Sequence, residues 1–342
     1  MSRKSVFMAA TLLIAGLVGS AAQAHQWGCW IQADRNIRIR NAGGSQASAA
    51  ISDWHNMTIL NFSYVSSSEE IYVFNANSGA TGWAGLARIT SYSGCTIRRA
   101  TAQVNTYYYS STSTAARGIH CQEIGHGFGL DHSNDGGCMG AGYWYSVTGA
   151  YRPVSHNVSD VGSMYANRAI TRPTNPTHPT VGPEVDTPRF HANWAYNPRT
   201  LAETAGLAAE VVVATVTGVA DGEPIVNRLQ DGEVSRIPTQ RVSFSVNRSP
   251  KGDMVAGETF VLFQNGNENS RFDEDPSYKV GHRYLLFLMP RADGTYLVVS
   301  PQGRYEVTGR GLVPATHVGF AADLEGARLQ DVLRDVTRAL EQ

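Results

Sequence analysis

Five prolines fall within residues 171–188, the stretch running from Thr171-Arg172-Pro173 through Thr187-Pro188. Each lacks an amide hydrogen to donate, and each pushes the residue before it away from helix. No apolar periodicity runs through the stretch, so it is read as an extended, solvated linker. It divides the chain of 342 residues into a part spanning 25–170 and a part spanning 189–342. Hydrophobic residues make up 42% of the whole, enough for each part to bury a core of its own. The formal net charge is −1, and no run of like charges marks a surface for nucleic acid or for an anionic membrane.

Ahead of the first part, Arg3 and Lys4 precede an apolar run from Val6 to Val18 and then Ala22-Gln23-Ala24. A short basic region, an apolar stretch too short to span a bilayer and an A-x-A site read as a signal peptide over 1–24, cleaved to leave His25 first. No cysteine follows for lipid attachment and no second apolar segment follows for anchoring. An exported protein without a membrane anchor is expected. All four cysteines, Cys29, Cys95, Cys121 and Cys138, lie in the exported part. Two disulfides are expected there, in any of three connectivities, because no C-x-x-C pair offers a thiolate metal site.

In 25–170, Ala47, Ala50, Ile51 and Trp54 recur at helical spacing. Strands are expected around Thr58–Val65, Ile71–Asn75 and Ile97–Tyr109. A polar loop at Ser111–Ala116 leads into a helix beginning near Arg117, and a last helix is expected near Ser159–Asn167. Helices mixed with strands of irregular alternation place the fold in the α+β class. The second part reads as short β-branched and aromatic runs, Glu210–Val219, Arg241–Asn247, Thr259–Phe263, Tyr284–Leu288, Thr295–Val299 and Gly303–Val307, closed by a helix over Leu324–Leu340. The wording of Val211–Val219, Ser249–Gly252 and Val280–Leu288 resembles the OB-type barrels of netrin-like modules. That likeness implies a small accessory barrel.

The chemistry is concentrated in His120-Cys121-Gln122-Glu123-Ile124-Gly125-His126-Gly127-Phe128-Gly129-Leu130-Asp131-His132. At about 100° per helical residue, positions 122 and 126 share one face and Glu123 points alongside. Gly129 lets the helix stop, and His132 can then return to the same metal. The segment resembles the H-E-x-x-H-x-x-G-x-x-H motif of the metzincin metallopeptidases, with Gln122 in place of the first histidine. Cys138-Met139-Gly140 resembles that family's Met-containing turn beneath the metal. Trp83–Ala87, Ala102–Asn105 and Pro153–Tyr165 resemble further segments of bacterial matrixin-like proteins, so the likeness covers 25–170.

The resemblance implies a zinc endopeptidase acting on protein or peptide substrates. Its ligands would be Gln122, His126 and His132, with Glu123 as general base and Met139 as the floor of the site. It also suggests pairing Cys121 with Cys138, which would fasten the metal helix to the Met139 turn, and Cys29 with Cys95. Gln122 leaves three arrangements open: a weaker site using its amide oxygen, a distorted helix start that brings in His120, or an inactive binding or adhesion protein on the same scaffold. The remaining histidines, His191 among them, are expected at the surface or satisfied within the fold.

Overall fold

The computed structural model describes residues 25–140, 150–169, 189–229 and 232–341. The expected signal peptide, the whole of the expected linker and the aromatic run Tyr143–Tyr145 lie outside them. The first part contains β1 (Ile31–Gln32), β2 (Asn36–Ala42), α1 (Gly44–Met57), β3 (Asn61–Tyr64), β4 (Ile71–Ala76), β5 (Trp83–Ser93), β6 (Thr96–Asn105), α2 (Thr114–Gly127) and α3 (Ser155–Tyr165). After residue 188 come β7 (Arg189–Trp194), α4 (Leu201–Leu207), β8 (Glu210–Asp221), β9 (Ile225–Arg228), β10 (Val234–Ile237), β11 (Thr239–Lys251), β12 (Thr259–Asn265) and β13 (Arg271–Phe272). They are followed by β14 (Arg283–Pro290), β15 (Tyr296–Val298), β16 (Arg304–Thr308), β17 (Gly311–Pro314) and α5 (Leu329–Leu340). The fold is mixed α+β, as the sequence suggests.

The first sheet runs β13-β7-β5-β6-β4-β2-β3, with β1 added beside β6. Strands β2, β3, β4 and β6 are mutually parallel, and β5 runs antiparallel to β6. Parallel neighbours need a crossover, and α1 supplies the one between β2 and β3. Its apolar face, Ala47, Ala50, Ile51 and Trp54, is buried as its spacing requires. Trp54 Nε1 donates to the Cys121 carbonyl of α2 at 2.9 Å, and its ring meets Phe128 edge-on at 4.9 Å. Thus α1 and α2 pack together over one continuous core.

The second part contains a closed five-strand barrel. Strands β8, β11, β12, β15 and β14 pair in a ring, with β15 joining both β12 and β14. The α5 helix covers it with Val332, Leu333 and Val336. Closure removes the exposed edges that an open sheet would carry.

Two features differ from the sequence reading. The long β5, with its first five residues all buried, carries no alternation to betray it. The division at residue 189 also separates β7 from one of its partners, since β7 pairs antiparallel with β5 in the first sheet. Trp83, Leu86, Phe190, Trp194, Ile237 and Phe272 then form one apolar cluster shared by both parts. Trp27 Nε1 donates to Asp273 at 2.7 Å and Trp83 Nε1 to Asn265 at 3.1 Å, adding polar contacts across the same boundary. The cysteines pair as Cys29–Cys95 and Cys121–Cys138, with Cα separations of 5.4 and 5.8 Å. These disulfides point to a non-cytoplasmic protein. Among the described residues no helix is long and apolar enough to cross a membrane.

Trp54 has no exposed surface and holds α1 against α2 by both its ring and its N–H. Trp54→Ala is expected to lower unfolding free energy by about 3–5 kcal/mol. Urea denaturation of both proteins at one pH measures the difference.

Candidate metal centre

Ser113 starts α2, its Oγ accepting from the Ala116 amide at 3.1 Å. From Gly118 to Gly127 every residue of the helix is buried. An ordinary surface helix keeps its polar residues on a wet face; this one takes His120, Gln122, Glu123 and His126 inside. Each must then find a partner or carry the cost of going without. His120 Nε2 sits 3.1 Å from Asn75 Oδ1, away from the later histidines. Burial pulls the His120 pKa down to about 3, so it stays neutral.

Gly129 closes the helix with φ +103°, and a Cβ there would collide with the Trp30 carbonyl. The chain then turns so that His132 faces His126, with ring centroids 4.8 Å apart. Met139 is fully buried beneath α2, its Sδ against Gly125, where any Cβ would collide. The Cys121–Cys138 bridge ties the helix to this same turn.

A third imidazole joins from β7. His191 lies 4.0 Å from His126 and 4.2 Å from His132, centroid to centroid. One ring nitrogen from each of the three histidines lies within 4.8 Å of the other two. His126 Nδ1 lies 2.8 Å from the Leu130 carbonyl, which can only accept, so Nδ1 carries the proton. Its Nε2 therefore presents a lone pair, and that atom is buried without a partner. A carbonyl holding the far nitrogen of an imidazole is the usual support for a metal ligand.

His191 is flanked on both sides by carboxylates. Asp131 Oδ1 is 2.9 Å from Nε2, and Glu274 lies against Nδ1. A neutral imidazole has one donor and one acceptor nitrogen, so it cannot donate to both. Burial holds His191 well below the ordinary histidine range and therefore neutral, with the neighbouring His132 adding to the effect. Burial likewise depresses His126, aided by His191 and His132, and brings His132 to about 4. Three neutral nitrogen donors with acidic neighbours are a donor set that fits a divalent ion such as zinc.

Of the residues singled out in the sequence, His126 and His132 converge, with Met139 beneath α2. Gln122 is placed differently. Its Nε2 donates to the Gly140 carbonyl at 3.2 Å, and its Oε1 accepts from Asn193 of β7. The oxygen that would have served a metal is engaged, and His191 stands in the histidine cluster. His191 is neither exposed nor remote; it is 4% exposed and central. The signal for it was present in Phe190-His191-Ala192-Asn193-Trp194, where His191 and Asn193 alternate with apolar residues and so share one face of a strand. Beside the cluster, Trp27, Asp131, His132, His191, Asp273 and Glu274 help line a cleft of about 590 Å³.

Glu123 lies under β5, its carboxyl below Gly85. Neither of its oxygens has a well-aligned hydrogen-bond partner. Burial pushes its pKa well above the carboxylate range, opposed only by the Ala87 amide. A search of protein-family profiles and of curated proteins finds no match to this chain.

Two outcomes are expected. In competition with a graded chelator, His191→Ala weakens divalent-metal binding by more than about 100-fold, beyond the roughly 10–100-fold that losing an outer support costs. Gln122→Ala changes it by less than about tenfold, because its oxygen is already taken by Asn193. The second outcome concerns acid. Unfolded histidines titrate near about pH 6.5, whereas His132 folds with a pKa of about 4 and His126 and His191 are also depressed. Above about pH 6.5 neither state binds these protons; below it only the unfolded state does, so stability falls with pH until the folded imidazoles titrate. The melting temperature of metal-stripped protein, followed from pH 7.5 down to 4.5, tests this, with a shallower slope expected for His132→Asn.

Proposed function

We propose that this chain is an exported zinc-dependent endopeptidase, with His126, His132 and His191 as the residues that would hold the ion. The observation that carries the reading is the convergence of three neutral imidazoles next to the helix that bears the buried carboxyl of Glu123. Zinc held there would supply a Lewis acid that polarises a carbonyl and lowers the pKa of a bound water. Glu123 is the residue to move the proton. Its carboxylate would take a proton from the attacking water and release it to the departing amine nitrogen. A buried carboxylate is a stronger base than a solvated one, and a neighbouring dication favours its ionised form. Trp27, whose ring lies 6.0 Å from His126 and 5.1 Å from His191, limits water on one side.

The resemblance to metzincins in Gln122–His132 and Cys138–Gly140 supports the same reading, as does the placement of Met139. The five-strand barrel supports an OB-type or netrin-like accessory unit for the second part.

A second reading has its own support. An extended peptide commonly adds to a free sheet edge, and here β7 already occupies that edge of β5. With β5 closed to an extended substrate, the alternative is a non-catalytic binding protein on the same scaffold.

Glu123→Gln is expected to cut peptide hydrolysis by roughly 10²–10⁴-fold or more while metal content stays that of the parent. Undiminished hydrolysis in that variant overturns the role of Glu123. A zinc-loaded parent that cleaves none of a varied set of peptides leaves the binding protein as the function.

A further inference from the structure

A second cluster of ligating atoms lies outside the centre described above. His25 Nδ1 is 2.8 Å from His156 Nε2 and 3.3 Å from Asp160 Oδ2. His156 Nε2 is in turn 3.2 Å from Asp160 Oδ2 and 3.2 Å from Asp135 Oδ2. Three separate segments meet here: the start of the described chain, the loop after His132, and α3. The two histidines touch edge-on, with ring centroids 4.8 Å apart.

Hydrogen bonding alone does not account for the arrangement. An imidazole nitrogen has either one proton or one lone pair in its plane, and so makes one good hydrogen bond. His156 Nε2 faces three partners, His25, Asp135 and Asp160, and His25 Nδ1 faces two of the same group. A single cation among them satisfies all these atoms together. The spacing also suits one. Ligands about 2.0–2.1 Å from a tetrahedral ion stand about 3.3–3.4 Å from each other, close to three of the four separations.

We infer that His25, Asp135, His156 and Asp160 form a second binding site for a divalent transition cation of the zinc class. Two neutral imidazoles and two carboxylates carry a charge of −2 that a dication balances. Mixed nitrogen and oxygen donors suit zinc and its neighbours, while calcium asks for six to eight oxygens. The Asp160 side chain is 8% exposed and Asp135 51%, so the site has a fixed wall and an open entrance.

The site has a structural consequence. The His25 carbonyl accepts from the Asp131 amide at 2.8 Å, and the Trp27 amide donates to Gly129 at 2.8 Å. A cation at His25 therefore pins the start of the described chain, the 129–135 loop and α3 to one another. That loop carries His132, so the second site braces the first.

The inference does not require the three-histidine centre to bind metal, and the test separates them. Metal-free protein is titrated with zinc by calorimetry in the parent, in His156→Ala, in Asp135→Asn and in His126→Ala/His132→Ala. The parent is expected to take up one more equivalent than His156→Ala. The His126→Ala/His132→Ala protein is expected to keep an equivalent that disappears when His156→Ala is added. Asp135 is half-exposed, so Asp135→Asn leaves folding intact and is expected to weaken the same equivalent by about tenfold or more. Cobalt in the His126→Ala/His132→Ala protein should show the intense visible absorption of a four-coordinate ion. Equal uptake and affinity in the parent, His156→Ala and Asp135→Asn overturns the site. Failure of the three-histidine centre shows separately, as no loss of an equivalent in His126→Ala/His132→Ala.

Discussion

Burying α2 on every side is the constraint from which the rest of the molecule follows. A helix that takes His120, Gln122, Glu123 and His126 out of water needs partners supplied from several directions. α1 contributes the Trp54 ring and N–H, the loop after Gly129 contributes the Leu130 and Gly140 carbonyls, and β7 contributes Asn193 and His191. The Cys121–Cys138 bridge makes the link between helix and loop covalent.

Several unsatisfied polar atoms gather around this centre. His126 Nε2, both Glu123 oxygens, His191 Nδ1, Asn193 Oδ1 and both Glu274 oxygens are buried without well-formed hydrogen bonds, and all belong to α2, β7 or the segment after β13. Most buried polar atoms in folded proteins are paired, so a group of exceptions in one place calls for an occupant or a function. Neutral imidazoles beside acids are such a case: the fold keeps lone pairs dry and unprotonated at the expense of acid stability.

The barrel half contributes to this centre as well as being attached to it. Glu274 and Asp273 follow β13, which pairs with β7, and so the second part supplies carboxylates to the cleft beside His132 and His191. Two halves that share the apolar cluster of Trp83, Phe190 and Phe272 position a site that neither completes by itself. This coupling is also why β7 is better described with the sheet it joins than with the segment that follows it.

What was legible in the sequence was local. The helix face of Ala47, Ala50, Ile51 and Trp54, the shared face of positions 122 and 126, the stop at Gly129 and the strand-rich second half all follow from periodicity and turn chemistry. Such features depend on residues a few positions apart. The same local spacing offered Gln122 as a ligand, because a helix aligns residues four apart regardless of what lies opposite. Tertiary structure decided what lies opposite. β7 arrives from beyond the proline-rich stretch, gives Asn193 to the oxygen of Gln122 and places His191 beside His126 and His132. Its pairing with β5 is a contact between segments some hundred residues apart, which no period in the chain encodes. It rests instead on the buried, unpatterned face of β5 finding the alternating face of Phe190, Ala192 and Trp194. The meeting of His25 with Asp135, His156 and Asp160 has the same origin: four ordinary polar residues in sequence come together because the segment at His25 is bonded beside α3.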